Sequence, residues 1–164
     1  MRFQFIFSNL ACGSLMENIG DMEKVFSQGI THVINLQIGC ETQLWYFSEM
    51  RQKYPDVEFL HLYFTDDKQD KPFWIWNTIL EYTKSVLTAS QDHKLYVHCA
   101  LGESRSPAVI YLLLRVMWQY SQQKAKEVLH KNYFKKIRGI EKKYKEYIPG
   151  IDHYIEIMEI GGEK

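Results

Sequence analysis

One stretch of the chain combines residue types that can perform chemistry together. It reads His98-Cys99-Ala100-Leu101-Gly102-Glu103-Ser104-Arg105-Ser106. Cys99 is a candidate nucleophile, because it enters a short glycine-containing loop whose backbone N–H groups favour the thiolate over the thiol. Arg105 carries a planar guanidinium that can hold two phosphate oxygens at once. A nucleophile beneath a bound phosphate implies phosphoryl transfer through a covalent cysteinyl-phosphate.

The flanking residues predict the elements that position this stretch. The apolar run Leu95-Tyr96-Val97 precedes it and is typical of a strand, and the apolar run from Val109 to Met117 predicts a buried helix. A strand that turns through a short loop into a helix directs several N–H groups at one point, which is an anion-binding arrangement. Ser106, with Pro107 in the first helical turn, is a natural N-cap for that helix.

The motif His98-Cys99-x-x-Gly102-x-x-Arg105-Ser106 resembles the active-site motif of the cysteine-dependent protein tyrosine phosphatases. The Ser-Arg-Ser ending and the short chain are most similar to the small, atypical dual-specificity protein phosphatases. Further upstream, the segment from Gly29 to Leu36 closely resembles a family segment, and the resemblance covers roughly residues 7 to 132. His32 lies within that segment at a family position that carries no chemistry, so we expect it to be structural.

The resemblance and the chemistry of the residues together suggest a role for each loop residue. Cys99 would be the nucleophile, and Arg105 would hold the phosphate and the charge that develops on its oxygens. The resemblance also implies that the Ser106 hydroxyl donates to the sulfur as it leaves. His98 would help to orient the cysteine. The remaining phosphate-binding positions would be Ala100, Leu101, Gly102, Glu103 and Ser104.

The leaving oxygen of the substrate also needs a proton from a general acid, which is worth about 10²–10⁴-fold in rate. Asp66 and Asp67 are the candidates, 33 and 32 residues before Cys99, in an acidic loop that runs from Thr65 to Asp70. The family's acid follows a strand that aligns with residues 57–64, and this register favours Asp66, with Asp67 as the alternative. Asp70 is expected to cap the next helix.

Hydrophobic residues make up 46% of the 164-residue chain, which fits one globular domain over residues 1–164. Strands alternating with helices predict an α/β fold, with a central, mostly parallel sheet of about five strands flanked by helices. The phosphate-binding loop would join the central strand to a buried helix. Ligands of such sheets bind outside the carboxyl ends of the strands, so the cysteine loop and the acidic loop should open on one rim.

The other elements follow from periodicity and turn residues. We predict strands at Arg2–Phe7, Ile30–Leu36, Val57–Phe64 and Leu95–His98. We predict helices at Asp21–Gln28 (capped by Asp21), Thr42–Tyr54, Asp70–Leu87, Ser121–Asn132 (capped by Ser121) and Ile151–Ile160, and a further helix that starts at Pro107.

The three cysteines, Cys12, Cys40 and Cys99, are widely spaced, which argues against a disulfide framework or a zinc site and favours a reducing compartment. No apolar run reaches the roughly 18 residues of a membrane span. We therefore expect a cytoplasmic or nuclear protein that needs no metal or cofactor. Cys40 follows a predicted strand, which raises the hypothesis of a reversible Cys40–Cys99 disulfide; the alternative is an unrelated thiol.

Glu103 and the C-terminal region depart from the family pattern. Glu103 places a carboxylate where inositide phosphatases tend to have bases, and it should repel highly anionic substrates unless its side chain points away. Between Lys124 and Glu146 there are nine Lys or Arg and three Asp or Glu. This basic segment (Lys124–Lys145) interleaves with Tyr133, Phe134, Tyr144 and Tyr147, a pattern that suits a polyanion or an acidic protein partner. The alternative is a solvated charged face whose aromatic residues pack on the core.

The resemblance implies a phosphatase that hydrolyses phosphotyrosine, phosphoserine and phosphothreonine in a phosphorylated protein substrate. Two alternatives remain open. The same chemistry could act on a lipid or on an RNA 5′-phosphate. A phospho-binding module without catalysis is disfavoured, because a pure binder has no use for the Cys99 thiolate.

Overall fold

A five-stranded sheet forms the centre of the molecule in a computed structural model that describes residues 1–39, 44–67, 69–138 and 141–161. The strands are β1 (Phe3–Phe7), β2 (Leu10–Ser14), β3 (His32–Asn35), β4 (Glu58–His61) and β5 (Leu95–Cys99). Their order across the sheet is β1-β2-β5-β3-β4, with β1 antiparallel to β2 and the other neighbours parallel. The predicted α/β fold, its mostly parallel sheet and its central strand are confirmed.

Helices cover both faces of this sheet. They are α1 (Ile19–Phe26), α2 (Leu44–Lys53), α3 (Phe73–Ala89), α4 (Arg105–Val116), α5 (Gln122–Leu129), α6 (Lys135–Ile137), α7 (Lys142–Lys145) and α8 (Ile148–Gly161), with a π-helical turn (His130–Phe134) between α5 and α6. Because side chains alternate along a strand, Val97 and Cys99 face the larger apolar cluster with α3, α4 and α8, whereas Tyr96 faces the smaller one with α1. Every residue of α4 from Arg105 to Leu114 is buried, as predicted for the central helix.

The predicted caps of α1 and α3 are wrong, whereas that of α5 is confirmed. Asn18 caps α1 by accepting a hydrogen bond from the Asp21 N–H at 3.0 Å, so Asp21 lies inside the first turn. Pro72 occupies the N-cap position of α3, so Asp70 is not its cap. Ser121 caps α5 as predicted, accepting from the Lys124 N–H at 3.2 Å.

The carboxyl ends of the parallel strands meet at one rim. Ser14 at the end of β2 pairs with Cys99, and Asn35 at the end of β3 pairs with His98 and His61. The cysteine loop leaves β5 and the acidic loop follows β4, so both open on this rim, as predicted.

His32 lies at the other end of β3, opposite Leu95, which agrees with a structural role. In the described ranges, no helix is long and apolar enough to cross a membrane.

Candidate active site

The cysteine loop (residues 99–105) folds around the sulfur of Cys99. This side chain is buried, with 1% of its surface exposed, and its Sγ accepts a hydrogen bond from the Gly102 N–H at 3.3 Å. Gly102 has φ +72°, in the left-handed region that favours glycine. A Cβ at this position would lie 2.7 Å from the Gly13 carbonyl carbon. The loop therefore closes over the sulfur only with glycine at position 102.

Ser106 connects the sulfur to the neighbouring strand. Its Oγ lies 3.4 Å from the Cys99 Sγ and donates to the Gly13 carbonyl at 2.9 Å. A hydroxyl has one proton, so this proton points at Gly13 here and can turn to the sulfur when the sulfur becomes negative. The predicted N-cap role is wrong, because α4 already begins at Arg105 and Ser106 lies in its first turn. Pro107 is the third helical residue, where its missing N–H costs no helical hydrogen bond.

The side chain of Arg105 reaches across the rim toward the ends of β3 and β4. It is 2% exposed, and its Nη1 donates to the carbonyls of Leu36 and Phe64, each at 3.1 Å. Its Nε lies 3.9 Å from the Asp66 Oδ2. These contacts hold the guanidinium between the cysteine loop and the acidic loop.

Asp66 lies against the cysteine loop. Its Oδ1 accepts hydrogen bonds from the Ser104 Oγ at 2.6 Å and from the Tyr147 hydroxyl at 2.9 Å. The carboxylate keeps 42% of its surface exposed, so it remains accessible from the rim. The structure thus brings one of the two predicted general acids next to Arg105.

Asp67 is bound within its own loop instead. It accepts hydrogen bonds from the Thr65 hydroxyl at 2.8 Å and the Gln69 N–H at 3.1 Å, and it forms an ion pair with Lys71. The hydrogen bond from Lys71 lowers the pKa of Asp67 to about 2. Asp67 is therefore engaged with its own loop and with Lys71, whereas Asp66 lies beside the cysteine loop and Arg105, and this placement favours Asp66 as the acid.

Glu103 is buried between two cations that the sequence did not connect to it. Its carboxylate lies 2.7 Å from the Arg2 Nη2 and 2.6 Å from the Lys143 Nζ, and its side chain is 6% exposed. Arg2 also donates to the Leu101 carbonyl at 2.7 Å. Two cations around one carboxylate leave one net positive charge, so Glu103 gives no reason to expect repulsion of anionic substrates.

His98 and the two cysteines other than the candidate nucleophile were also singled out in the sequence. Burial lowers the pKa of His98 to about 3, so its ring is neutral at physiological pH, in agreement with an orienting role. Burial raises the pKa of the Cys12 thiol. Cys12 pairs with Val97 rather than with Cys99 in the sheet. Cys40 lies outside the described residues, so the hypothesis of a Cys40–Cys99 disulfide stays a prediction.

Comparisons with known proteins identify the fold. Neither a protein-family model nor a curated protein matches the sequence. A glycine-to-alanine variant of the phosphatase Tk-PTP, 17% identical, superposes with a TM-score of 0.77 over 97% of both chains. A variant of human DUSP28, 18% identical, superposes with a TM-score of 0.73 over 98% of this chain and 99% of the DUSP28 chain. PTPMT1 in complex with PI(5)P, 16% identical, superposes with a TM-score of 0.70 over 96% of this chain and 99% of the PTPMT1 chain. The fold is that of the protein tyrosine phosphatases.

In this phosphatase fold, the basic segment contributes residues to the site that sequence reasoning missed. The aromatic residues in this segment and just after it, 0–3% exposed, are Tyr133, Phe134, Tyr144 and Tyr147. The expectation that they stack on a polyanion is therefore wrong, and the alternative of aromatic residues packed on the core is confirmed. The Tyr133 hydroxyl donates to the Gly102 carbonyl at 2.6 Å, in addition to the contact of Tyr147 with Asp66. The only feature of the sequence that pointed to these contacts was the presence of tyrosines among the lysines.

Proposed function

We propose that this protein is a cysteine-dependent phosphatase that hydrolyses phosphate monoesters through a cysteinyl-phosphate intermediate. The observation that carries the proposal is the convergence of Cys99, Arg105 and Asp66 at one rim, linked by the Ser104–Asp66 hydrogen bond. An anion-binding module would need the loop N–H groups and the arginine. It would not need a thiol under the anion and a carboxylate beside it.

In the first step, the loop N–H groups and the Arg105 guanidinium bind the phosphate of the substrate. The Cys99 thiolate attacks the phosphorus, and the S–P bond forms as the P–O bond to the leaving alcohol breaks. Asp66 gives its proton to the leaving oxygen, so that an alcohol or a phenol departs instead of its anion. Arg105 stabilises the charge that spreads over the phosphate oxygens.

In the second step, a water molecule attacks the phosphorus of the cysteinyl-phosphate. The Asp66 carboxylate takes a proton from this water, and the S–P bond breaks as inorganic phosphate forms. The sulfur leaves as a thiolate, and the Ser106 hydroxyl, 3.4 Å away, turns from the Gly13 carbonyl to donate to it. Asp66 is then protonated again and the cycle is complete.

The substrate class that we propose first is a phosphorylated protein, with phosphotyrosine and phosphoserine or phosphothreonine both accepted. The sequence resemblance to dual-specificity phosphatases and the similarity of the fold to DUSP28 support it. A phosphoinositide is the second candidate. It is favoured by the net positive charge of the Arg2–Glu103–Lys143 cluster and by the similar fold of PTPMT1, which was crystallised with PI(5)P.

Hydrolysis of p-nitrophenyl phosphate in the presence of EDTA tests the reaction. We expect turnover by the wild type, loss to below about 1% in Cys99→Ser, and retention of phosphotyrosine binding in that variant. Cys12→Ala is the comparison variant, because it removes a buried thiol that contacts Ser106, and its turnover must stay well above that of Cys99→Ser. Binding without turnover in the wild type would contradict the proposal. Phosphopeptides, PI(5)P and RNA 5′-phosphates then rank the substrate classes.

A further inference from the structure

Tyr147 links the C-terminal part of the chain to the acidic loop. It lies between α7 and α8, and 3% of its surface is exposed. Its hydroxyl lies 2.9 Å from the Asp66 Oδ1 and 3.4 Å from the Thr65 carbonyl oxygen. Its single proton therefore serves the shorter contact, and the phenol donates to the carboxylate of Asp66.

The ring of Tyr147 is held from both ends of the acidic loop. Phe64, which precedes the loop, packs against it with ring centroids 5.7 Å apart. The Nζ of Lys71, which follows the loop, lies 5.9 Å from the centroid of the Tyr147 ring and 5.3 Å from that of Phe64. A ring fixed in this way has little freedom to move its hydroxyl. Tyr147 thus offers Asp66 a donor in a constant position.

The two oxygens of Asp66 have different surroundings. Oδ1 accepts from both the Ser104 hydroxyl at 2.6 Å and the Tyr147 hydroxyl at 2.9 Å. Oδ2 lies on the side of Arg105, 3.9 Å from its Nε. A protonated carboxyl group has one hydroxyl and one carbonyl oxygen, and an oxygen that accepts two hydrogen bonds is the carbonyl. The proton of Asp66 therefore belongs on Oδ2, which lies on the side of Arg105, the residue that would hold the phosphate.

We propose that Tyr147 is a positioning residue for the general acid. Together with Ser104 it holds the Oδ1 of Asp66, so that Oδ2 presents its proton to the leaving oxygen as the P–O bond breaks. Oδ2 recovers a proton from water in the second step. This inference rests on the proposed phosphatase function and adds to it the residue that aligns the proton transfer.

Tyr144 provides a matched control within the same segment. It is also buried, and it stacks on Phe134 with ring centroids 5.1 Å apart. Its hydroxyl has no hydrogen-bond partner among the residues that the structure describes. Tyr144→Phe and Tyr147→Phe therefore make the same chemical change, and only the second removes a contact with Asp66.

The experiment compares substrates that differ in their need for a proton. Phenyl phosphate has a poor leaving group that must be protonated, whereas p-nitrophenyl phosphate has a good one. For Tyr147→Phe we expect kcat to fall about tenfold on phenyl phosphate and less than about twofold on p-nitrophenyl phosphate, with KM unchanged. Tyr144→Phe should match the wild type on both. In an Asp66→Asn background, Tyr147→Phe should have no further effect.

An equal effect of Tyr147→Phe on both substrates, no effect at all, or an effect that adds to that of Asp66→Asn would each overturn the inference. If Tyr147→Phe does not fold, Ser104→Ala removes the other donor to Oδ1 and must lower kcat more on phenyl phosphate than on p-nitrophenyl phosphate. Turnover that depends on Cys99 but is insensitive to Tyr147 would remove this inference alone. Absence of wild-type turnover on every phosphate monoester would remove the proposed function as well.

Discussion

The hydrogen bond from Tyr133 to the cysteine loop allows a quantitative prediction. Tyr133→Phe removes a hydroxyl that donates to the Gly102 carbonyl at 2.6 Å. The ring itself is fully buried and packs edge-on against Phe134, so phenylalanine keeps the apolar contacts. The change therefore leaves a buried carbonyl of the cysteine loop without its donor, and it also removes the contact of this hydroxyl with the buried Cys12 thiol.

The size of the effect follows from that lost donor. Leaving a buried acceptor unsatisfied lowers the free energy of unfolding by about 1–3 kcal/mol. For a chain of this length, about 1 kcal/mol shifts Tm by roughly 2–4 °C, so we expect Tm to fall by about 2–12 °C. Gly102 also supplies the N–H that contacts Cys99. Loosening it should lower kcat about tenfold on phenyl phosphate and p-nitrophenyl phosphate alike, because the nucleophile rather than the acid is disturbed.

Thermal unfolding followed by circular dichroism, together with kcat on both substrates, measures these quantities. Tyr144→Phe is again the control, and its Tm should stay equal to or above that of the wild type, because it removes a buried hydroxyl that has no partner among the described residues. A Tm of Tyr133→Phe within about 1 °C of the wild type would refute the argument for stability. A loss confined to phenyl phosphate would refute the argument for the loop, since that pattern belongs to Tyr147.

Four further predictions concern the charged residues of the site. Asp66→Asn should lower kcat on phenyl phosphate by about 10²-fold or more and remove the basic limb of its pH–rate profile, whereas Asp67→Asn should be much milder; exchanged phenotypes would reassign the acid. The pKa of Asp67 is lowered from its usual 3.8 to about 2, so the stabilisation by Lys71 is complete above pH about 4 and is lost as pH falls through about 2. Asp67→Asn should therefore lower Tm less at pH 2, where about half of Asp67 is protonated, than at pH 7, and equal shifts at both values would contradict this. Arg105→Lys should lose most of its kcat/KM on aryl phosphates, because an ammonium cannot replace the two-pronged contact; near-wild-type rates would contradict it. Glu103→Gln raises the net charge of its cluster and should raise kcat/KM on PI(5)P relative to p-nitrophenyl phosphate, with a steeper salt dependence; an unchanged ratio would exclude contact of this cluster with the lipid.

Much of the fold and part of the site could be predicted from local patterns. The strand before Cys99 and the buried helix after it are continuous apolar runs, and their order along the chain dictates a mostly parallel sheet. Parallel strands have their carboxyl ends on one side, so the sequence alone brings the acidic loop and the cysteine loop to the same rim. Cys99, Arg105 and Asp66 belong to this part, because each is tied to the end of a recognisable strand or the start of a helix.

The start of α4 was less predictable, because tertiary contacts compete with helix capping for the same serine side chains. Ser106 and Pro107 form a good capping pair, but the loop must direct its N–H groups at one point, and this begins α4 at Arg105. The Ser104 hydroxyl donates to Asp66 from the N-cap position, and the Ser106 hydroxyl turns to Gly13 and Cys99. Tertiary contacts thus outweigh the intrinsic capping preference of each serine.

Only the tertiary structure decided which partners the charged and aromatic residues of the basic segment have. Glu103 pairs with Arg2 and Lys143, which lie 101 and 40 residues away along the chain, and Tyr147 lies 81 residues from Asp66. Periodicity reports which side of an element is buried, but it carries no information about which distant residue fills the space opposite. The buried tyrosines of this region lie in or beside a π-helical turn and the very short helix α7. Elements this short complete too few turns to produce a periodic pattern, so their buried tyrosines were indistinguishable from surface residues until the chain was folded.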